Sequence, residues 1–173
     1  FTMSANANIN FNAGVTLTKS GSGIDILATT LTIGGSNTNG TLSMTGGNLN
    51  IEAGGTLDAN QSFTMDTNNG ITLGGAGINT IDIASGKTVT YQGAAIAIGA
   101  NRNLTITGVS ASAFTNSNDV GVDNAASLLT LTDCTVAKFN VSAAVSAGKG
   151  IAVVTTAATI TTLTHGASSR IAL

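Results

Sequence analysis

Eight acidic side chains, Asp25, Glu52, Asp58, Asp66, Asp82, Asp119, Asp123 and Asp133, are the groups of this 173-residue chain best suited to acid–base chemistry. A hydrolase or lyase needs carboxylates that converge on a substrate, commonly with Arg or Lys beside them. Asp58 and Asp82 fall at the same phase of a repeating pattern, one repeat apart, and would stack about 4.8 Å from each other on one sheet face. That is too close for two groups working on opposite sides of a substrate, so they read as surface acids. Asp119-Val-Gly-Val-Asp123 offers two oxygen ligands but lacks the dense alternating ligands and distal bidentate Glu of a calcium loop. His165 is the sole histidine and has no Cys or His companion to make a metal site. Cys134 is the sole cysteine, sits in an apolar stretch, and reads as a buried thiol. The glycine pairs lack the helix and Lys-Ser/Thr of a phosphate loop. The sequence therefore predicts no catalytic residue, no cofactor and no metal: not an enzyme.

The composition narrows the alternatives. Only 8% of residues are charged, against about 25% in an ordinary soluble domain. The six basic residues, Lys19, Lys87, Arg102, Lys138, Lys149 and Arg170, are scattered singly, so there is no basic stripe for nucleic acid. No run of 18 apolar residues exists to span a membrane. No signal peptide is visible at Phe1, which fits a processed mature chain. With 42% hydrophobic residues, 22 Gly, no Pro and no Trp, the surface must be built of hydroxyls, amides and small side chains. Such a surface carries little charge repulsion and favours contact with copies of itself.

What would position these groups is a run of very short strands. Alternation recurs in Ile9-x-Phe11, Leu31-x-Ile33, Leu49-x-Ile51, Ile81-x-Ile83 and Leu104-x-Ile106, with glycine or serine corners between. Successive strands begin about eight residues apart, the length of one strand and one corner. Every third strand gives the series Ile9, Leu31, Leu57, Ile81, Leu104, Leu129, Ile151 and Leu173, a period near 23 residues. Three strands per period predict an all-β, right-handed, three-faced parallel β-solenoid of about seven coils. A β-sandwich is the alternative, since it also strings short strands at close spacing. The expected layout is one domain over residues 1–173: regular coils over 1–107, a loop insertion over 108–127, and terminal coils over 128–173. Within the insertion, Val120-x-Val122 could keep a short strand.

The fragments GTLSMTGGNLNIEAGGTLDAN and IDIASGKTVTYQG resemble the coil repeats of secreted bacterial parallel β-helices, filamentous-haemagglutinin-type adhesins and autotransporter passenger domains. The resemblance implies the fold and an exposed, extracellular setting. It assigns no residue a role.

Two surfaces remain for function. Thr16, Thr18, Thr41, Thr64, Thr88, Thr90, Thr159 and Thr161 flank inward residues of one strand phase. They would stack as a threonine face that stabilises the sheet, binds a receptor or ice, or forms a contact surface for another copy. The other surface is the pair of open coil ends, with Phe1, Ile9 and Phe11 at one and Ile171 and Leu173 at the other. Unlike ends that fit each other build a filament rather than a closed ring. The expectation is a structural subunit of an extracellular filament or adhesive fibre. Its partners would be copies of itself and, beyond them, a host or cell surface.

Overall fold

Each strand follows from the alternation. In Ile24-Asp25-Ile26, Leu49-Asn50-Ile51 and Ile71-Thr72-Leu73 both flanking apolar side chains are buried and the middle residue is not, as a pleated strand dictates. The computed structural model describes residues 2–3, 7–10, 16–19, 24–34, 40–44, 47–67, 70–99, 101–116, 120–122, 128–141 and 158–165. Among them there is no helix.

In chain order, β1 (Thr2–Met3) precedes β2 (Ala7–Asn10), β3 (Thr16–Lys19) and β4 (Ile24–Ile26). Three further turns follow: β5 (Thr30–Gly34), β6 (Gly40–Met44), β7 (Leu49–Ile51); β8 (Thr56–Ala59), β9 (Phe63–Thr67), β10 (Ile71–Leu73); and β11 (Gly77–Ile83), β12 (Thr88–Tyr91), β13 (Ile96–Ile98). Then come β14 (Arg102–Asn116), β15 (Val120–Val122), β16 (Leu128–Val141) and β17 (Thr159–His165). Strands pair with those one turn away, and every pairing is parallel. This is a parallel β-solenoid, and parallel pairing throughout removes the sandwich.

Three ladders form its faces. Face one stacks β2, β5, β8 and β11 and continues into the first parts of β14 and β16. Face two stacks β3, β6, β9 and β12 and continues into the second parts of β14 and β16 and the start of β17. Face three stacks β1, β4, β7 and β10, with β13, β15 and the end of β16 beyond. A single coil buries too little apolar surface to stand alone, whereas stacked coils share one core. That core includes Leu31, Leu57, Ile81, Leu49, Ile71, Met65, Val89, Ile106 and Leu131, all buried. Each such side chain contributes about 1.5–3 kcal/mol on burial.

The structure corrects three expectations. The first is the count of about seven like coils. Three separate strands with a described interior make up about three turns: β5–β7, β8–β10 and β11–β13. Beyond Ile98 the long β14 and β16 each run continuously through two or more faces. The second is the phase. Leu31, Leu57 and Ile81 are stacked, and so are Leu104 and Leu129, but Ile81 lies opposite Ile106, and Ile9 opposite Ile33. Asn79 is the residue opposite Leu104; a buried asparagine occupies a core position there, its Nδ2 donating to the carbonyl oxygens of Asn103 at 3.0 Å and Gly77 at 3.3 Å. Ile151 and Leu173 lie outside the described residues.

The third correction concerns the described part of the expected loop insertion over 108–127, namely residues 108–116 and 120–122. In place of a loop insertion, β14 runs unbroken to Asn116 and β15 occupies Val120–Val122. The extra residues are absorbed by a register shift between Thr107 and Ser112. Ala111 has a positive φ of 67° there. The buried Ser112 Oγ accepts from the Val109 N–H at 3.1 Å and lies 3.0 Å from the carbonyl oxygens of Ile83 and Ala84. One hydroxyl thus pins the bulge to the preceding turn, which lets a polar sequence remain strand.

Candidate functional site

The register sorts the expected threonine face into three columns. On face two, Thr16, Thr41, Thr64, Thr90 and Thr115 lie opposite one another in successive strands. Thr88 belongs to the neighbouring column, with Ala113, Thr135 and Thr159. Thr18 lies opposite Ser43, and Thr161 is exposed on β17. Seven of the eight expected residues therefore share a face, one column of which is interrupted by alanine, and Thr161 falls between the paired Ile160 and Thr162.

A threonine column of the same length occupies face one. Thr30, Thr56, Thr80, Thr105 and Thr130 are stacked in register, at steps of 26, 24, 25 and 25 residues. Two residues along each strand, Asn8, Thr32, Asp58, Asp82, Thr107 and Thr132 form a second column. Strand geometry places neighbours in a column about 4.8 Å apart and the two columns about 6.7 Å apart. The aliphatic residues between them, Leu31, Leu57, Ile81, Ile106 and Leu131, point into the core, so alternation holds Thr30, Thr56, Thr80, Thr105 and Thr130 outward, together with Thr32, Asp58, Asp82 and Thr107. Exposed Ile78 precedes this array on β11 and exposed Val109 follows it on β14. The triplets Thr30-Leu-Thr32, Thr56-Leu-Asp58, Thr80-Ile-Asp82, Thr105-Ile-Thr107 and Thr130-Leu-Thr132 were the sequence signal for it.

The acids sit inside this array. Asp58 lies directly opposite Asp82. Asp58 Oδ2 accepts from Thr32 Oγ1 at 3.0 Å and from Asn60 Nδ2 at 3.1 Å. Burial pushes the Asp82 carboxyl above its ordinary range, the charge of Asp58 adds to that, and a hydrogen bond from the Ile83 backbone opposes it. On face three a second polar column runs Asp25, Asn50, Thr72. There Thr72 Oγ1 donates to Asn50, and Asn50 Nδ2 donates to Asp25. These bonds link successive turns side chain to side chain.

The remaining expected groups are not brought together. Cys134 is buried, with its thiol donating to the Ile106 carbonyl oxygen at 3.3 Å. His165 ends β17, its backbone paired with Val141. Asp119 and Asp123 lie outside the described residues, on either side of β15. Among the described residues, no group of three His, Cys, Asp or Glu side chains is placed to hold a metal, and no helix is long and apolar enough to cross a membrane. Of the expected interface residues, Ile9 pairs with Ile33 in a terminal strand of its ladder. Phe1, Phe11, Ile171 and Leu173 lie outside the described residues.

No family model, curated protein or solved structure matches the chain.

Proposed function

We propose that this chain is a non-enzymatic structural rod, a β-solenoid segment of an extracellular filament or adhesive fibre that assembles head to tail. The observation that carries the reading is the unbroken parallel stacking of turns. The strands of each turn complete their ladders and bury their apolar side chains against the turns before and after it. A second copy offers a coil end the same partners: strand edges to pair with and apolar columns to extend. The low charge of the chain favours that contact. The haemagglutinin-like style of the repeats supports the extracellular setting.

Sedimentation and negative-stain imaging of the purified chain test this. The expected result is rods longer than one chain that lengthen with concentration, and monomers only for a chain carrying Ile171→Lys and Leu173→Lys. Equal polymerisation of the charged variant would exclude end stacking.

The regular array on face one supports a second reading, recognition of an ice surface or a receptor by the threonine columns. A protein ordering water on that face shows thermal hysteresis that Thr80→Tyr abolishes and Thr90→Tyr, on face two, leaves intact. Loss in both or neither variant argues against a role for face one. Thr–Thr pairs also stabilise a sheet by about 0.2–1 kcal/mol each, so both variants must be matched for thermal stability.

A further inference from the structure

Two carboxyl groups directly opposite each other in a parallel ladder are unusual, because like charges at that position oppose strand pairing. Asp58 and Asp82 occupy such a position in the middle of face one, both partly buried. Their surroundings are sharply unequal. Asp58 Oδ2 already accepts hydrogen bonds from Thr32 on the preceding strand and Asn60 on its own. Asp82 is flanked on its other side by Thr107 of β14. The strands packed together here are β5, β8, β11 and β14, and their titratable side chains are Asp58, Asp82 and Arg102. Arg102 stands opposite Gly77, at the far end of β11, and Lys87 lies in the turn after β11. The charged neighbour acting on Asp82 is Asp58.

We infer that Asp58 and Asp82 bind one proton between them in mild acid, and that this proton clamps β8 to β11 across the centre of face one. The proton comes from solvent and forms an O–H bond on Asp82. That hydroxyl donates to the free Oδ1 of Asp58, whose Oδ2 keeps its bonds to Thr32 and Asn60. One negative charge is lost from the face, and repulsion between neighbouring turns becomes a hydrogen bond. The rod is therefore strengthened by acid, the reverse of acid denaturation in proteins held by ionised carboxylates. The raised affinity of Asp82 for its proton agrees with this placement.

The sign follows from proton linkage. In the window above 3.8, the ordinary value for this carboxyl, the folded state holds more protons than the unfolded one. Stability then falls as pH rises through that window.

Urea unfolding of the full chain, followed by circular dichroism at pH 4.5, 5.5 and 7, is the test. The parent midpoint is expected to rise on acidification. Asp82→Asn is expected to unfold at higher urea than the parent at pH 7, with the acid-dependent rise lost. A parent midpoint that stays level or falls toward pH 4.5, or an Asp82→Asn chain that keeps the parent's rise, overturns the inference. Carbon-13 titration of the parent's aspartate carboxyls provides a readout that needs no variant. A coupled pair with one step above the ordinary aspartate range supports the shared proton, and two independent ordinary titrations refute it.

Discussion

Gly55→Ala is expected to destabilise the solenoid by about 3 kcal/mol or more, at the upper end of what overpacking costs. Gly55 closes the Ala53-Gly54-Gly55 corner between β7 and β8 and is buried. A Cβ there would stand 2.4 Å from the Ile26 carbonyl oxygen, 2.8 Å from that of Leu27 and 3.0 Å from that of Glu52. These are backbone atoms of the preceding turn and of the corner itself, and none of them can swing away as a side-chain tip would. The Ile26 oxygen also accepts the Glu52 N–H at 2.9 Å, and the Gly55 oxygen accepts from Thr80 at 3.0 Å. Relief therefore requires separating two turns that are hydrogen-bonded on both sides of the corner. Gly86→Ala is the matched control: its φ is +67° but nothing lies within 4 Å of the added atom. Its expected cost is the left-handed backbone penalty alone, about 1–2 kcal/mol. Urea midpoints of the two variants beside the parent measure the difference, and equal losses would show that the close approach at Gly55 is relaxed at little cost.

The same corner shows how far the sequence is legible. Two short apolar pieces around a glycine pair cannot fold alone, and spacing alone predicts their partners: Ile24 and Ile71 for Leu49, Leu31 and Ile81 for Leu57. All four are opposite them in the structure. Period-two burial makes this readable, because inward residues must be apolar wherever coils stack. Legibility fails where an inward position is polar. Asn79 fills the slot opposite Leu104 and finds its donors' partners in backbone carbonyls, so a count of apolar residues slips by two there. It fails again at 108–116, where small polar residues remain strand because Ser112 satisfies the bulge from inside. The candidate face was only half legible. Thr-x-Thr triplets occur on two faces, and only the register assigns Thr30, Thr56, Thr80, Thr105 and Thr130 to a single uninterrupted column. Spacing places Asp58 and Asp82 one above the other, but their burial and the bond from Thr32 depend on neighbouring turns that the local sequence does not contain.

Tyr91→Ala is the second large loss expected, about 3–5 kcal/mol for removing a fully buried aromatic ring. The ring stacks on Phe114 of the next turn, with centroids 5.8 Å apart and planes 24° from parallel. Its hydroxyl spans the corner between faces two and three, accepting from the Ile71 N–H at 2.9 Å and donating to the Ala94 carbonyl oxygen at 2.7 Å. Tyr91→Phe keeps the packing and removes both bonds, so about 1–3 kcal/mol is expected from buried groups left unsatisfied. Hydrogen exchange at the Ile71 amide separates the two effects: in the Phe variant this amide loses protection more than its strand neighbours, whereas in the Ala variant the turn loses protection as a unit. The hydroxyl also explains the glycine beside it. A Cβ at Gly70 would stand 2.5 Å from the Tyr91 oxygen, and Gly70 holds a φ of +111°. Gly70→Ala should therefore cost less in a Tyr91→Phe background than in the parent, since its shortest contact has been removed. The residual cost is the left-handed backbone and the close approach to the Ala94 backbone nitrogen at 3.2 Å, which removing the hydroxyl at position 91 does not relieve. A double-mutant cycle with strictly additive losses would mean that the hydroxyl and the absent Cβ do not share the same space.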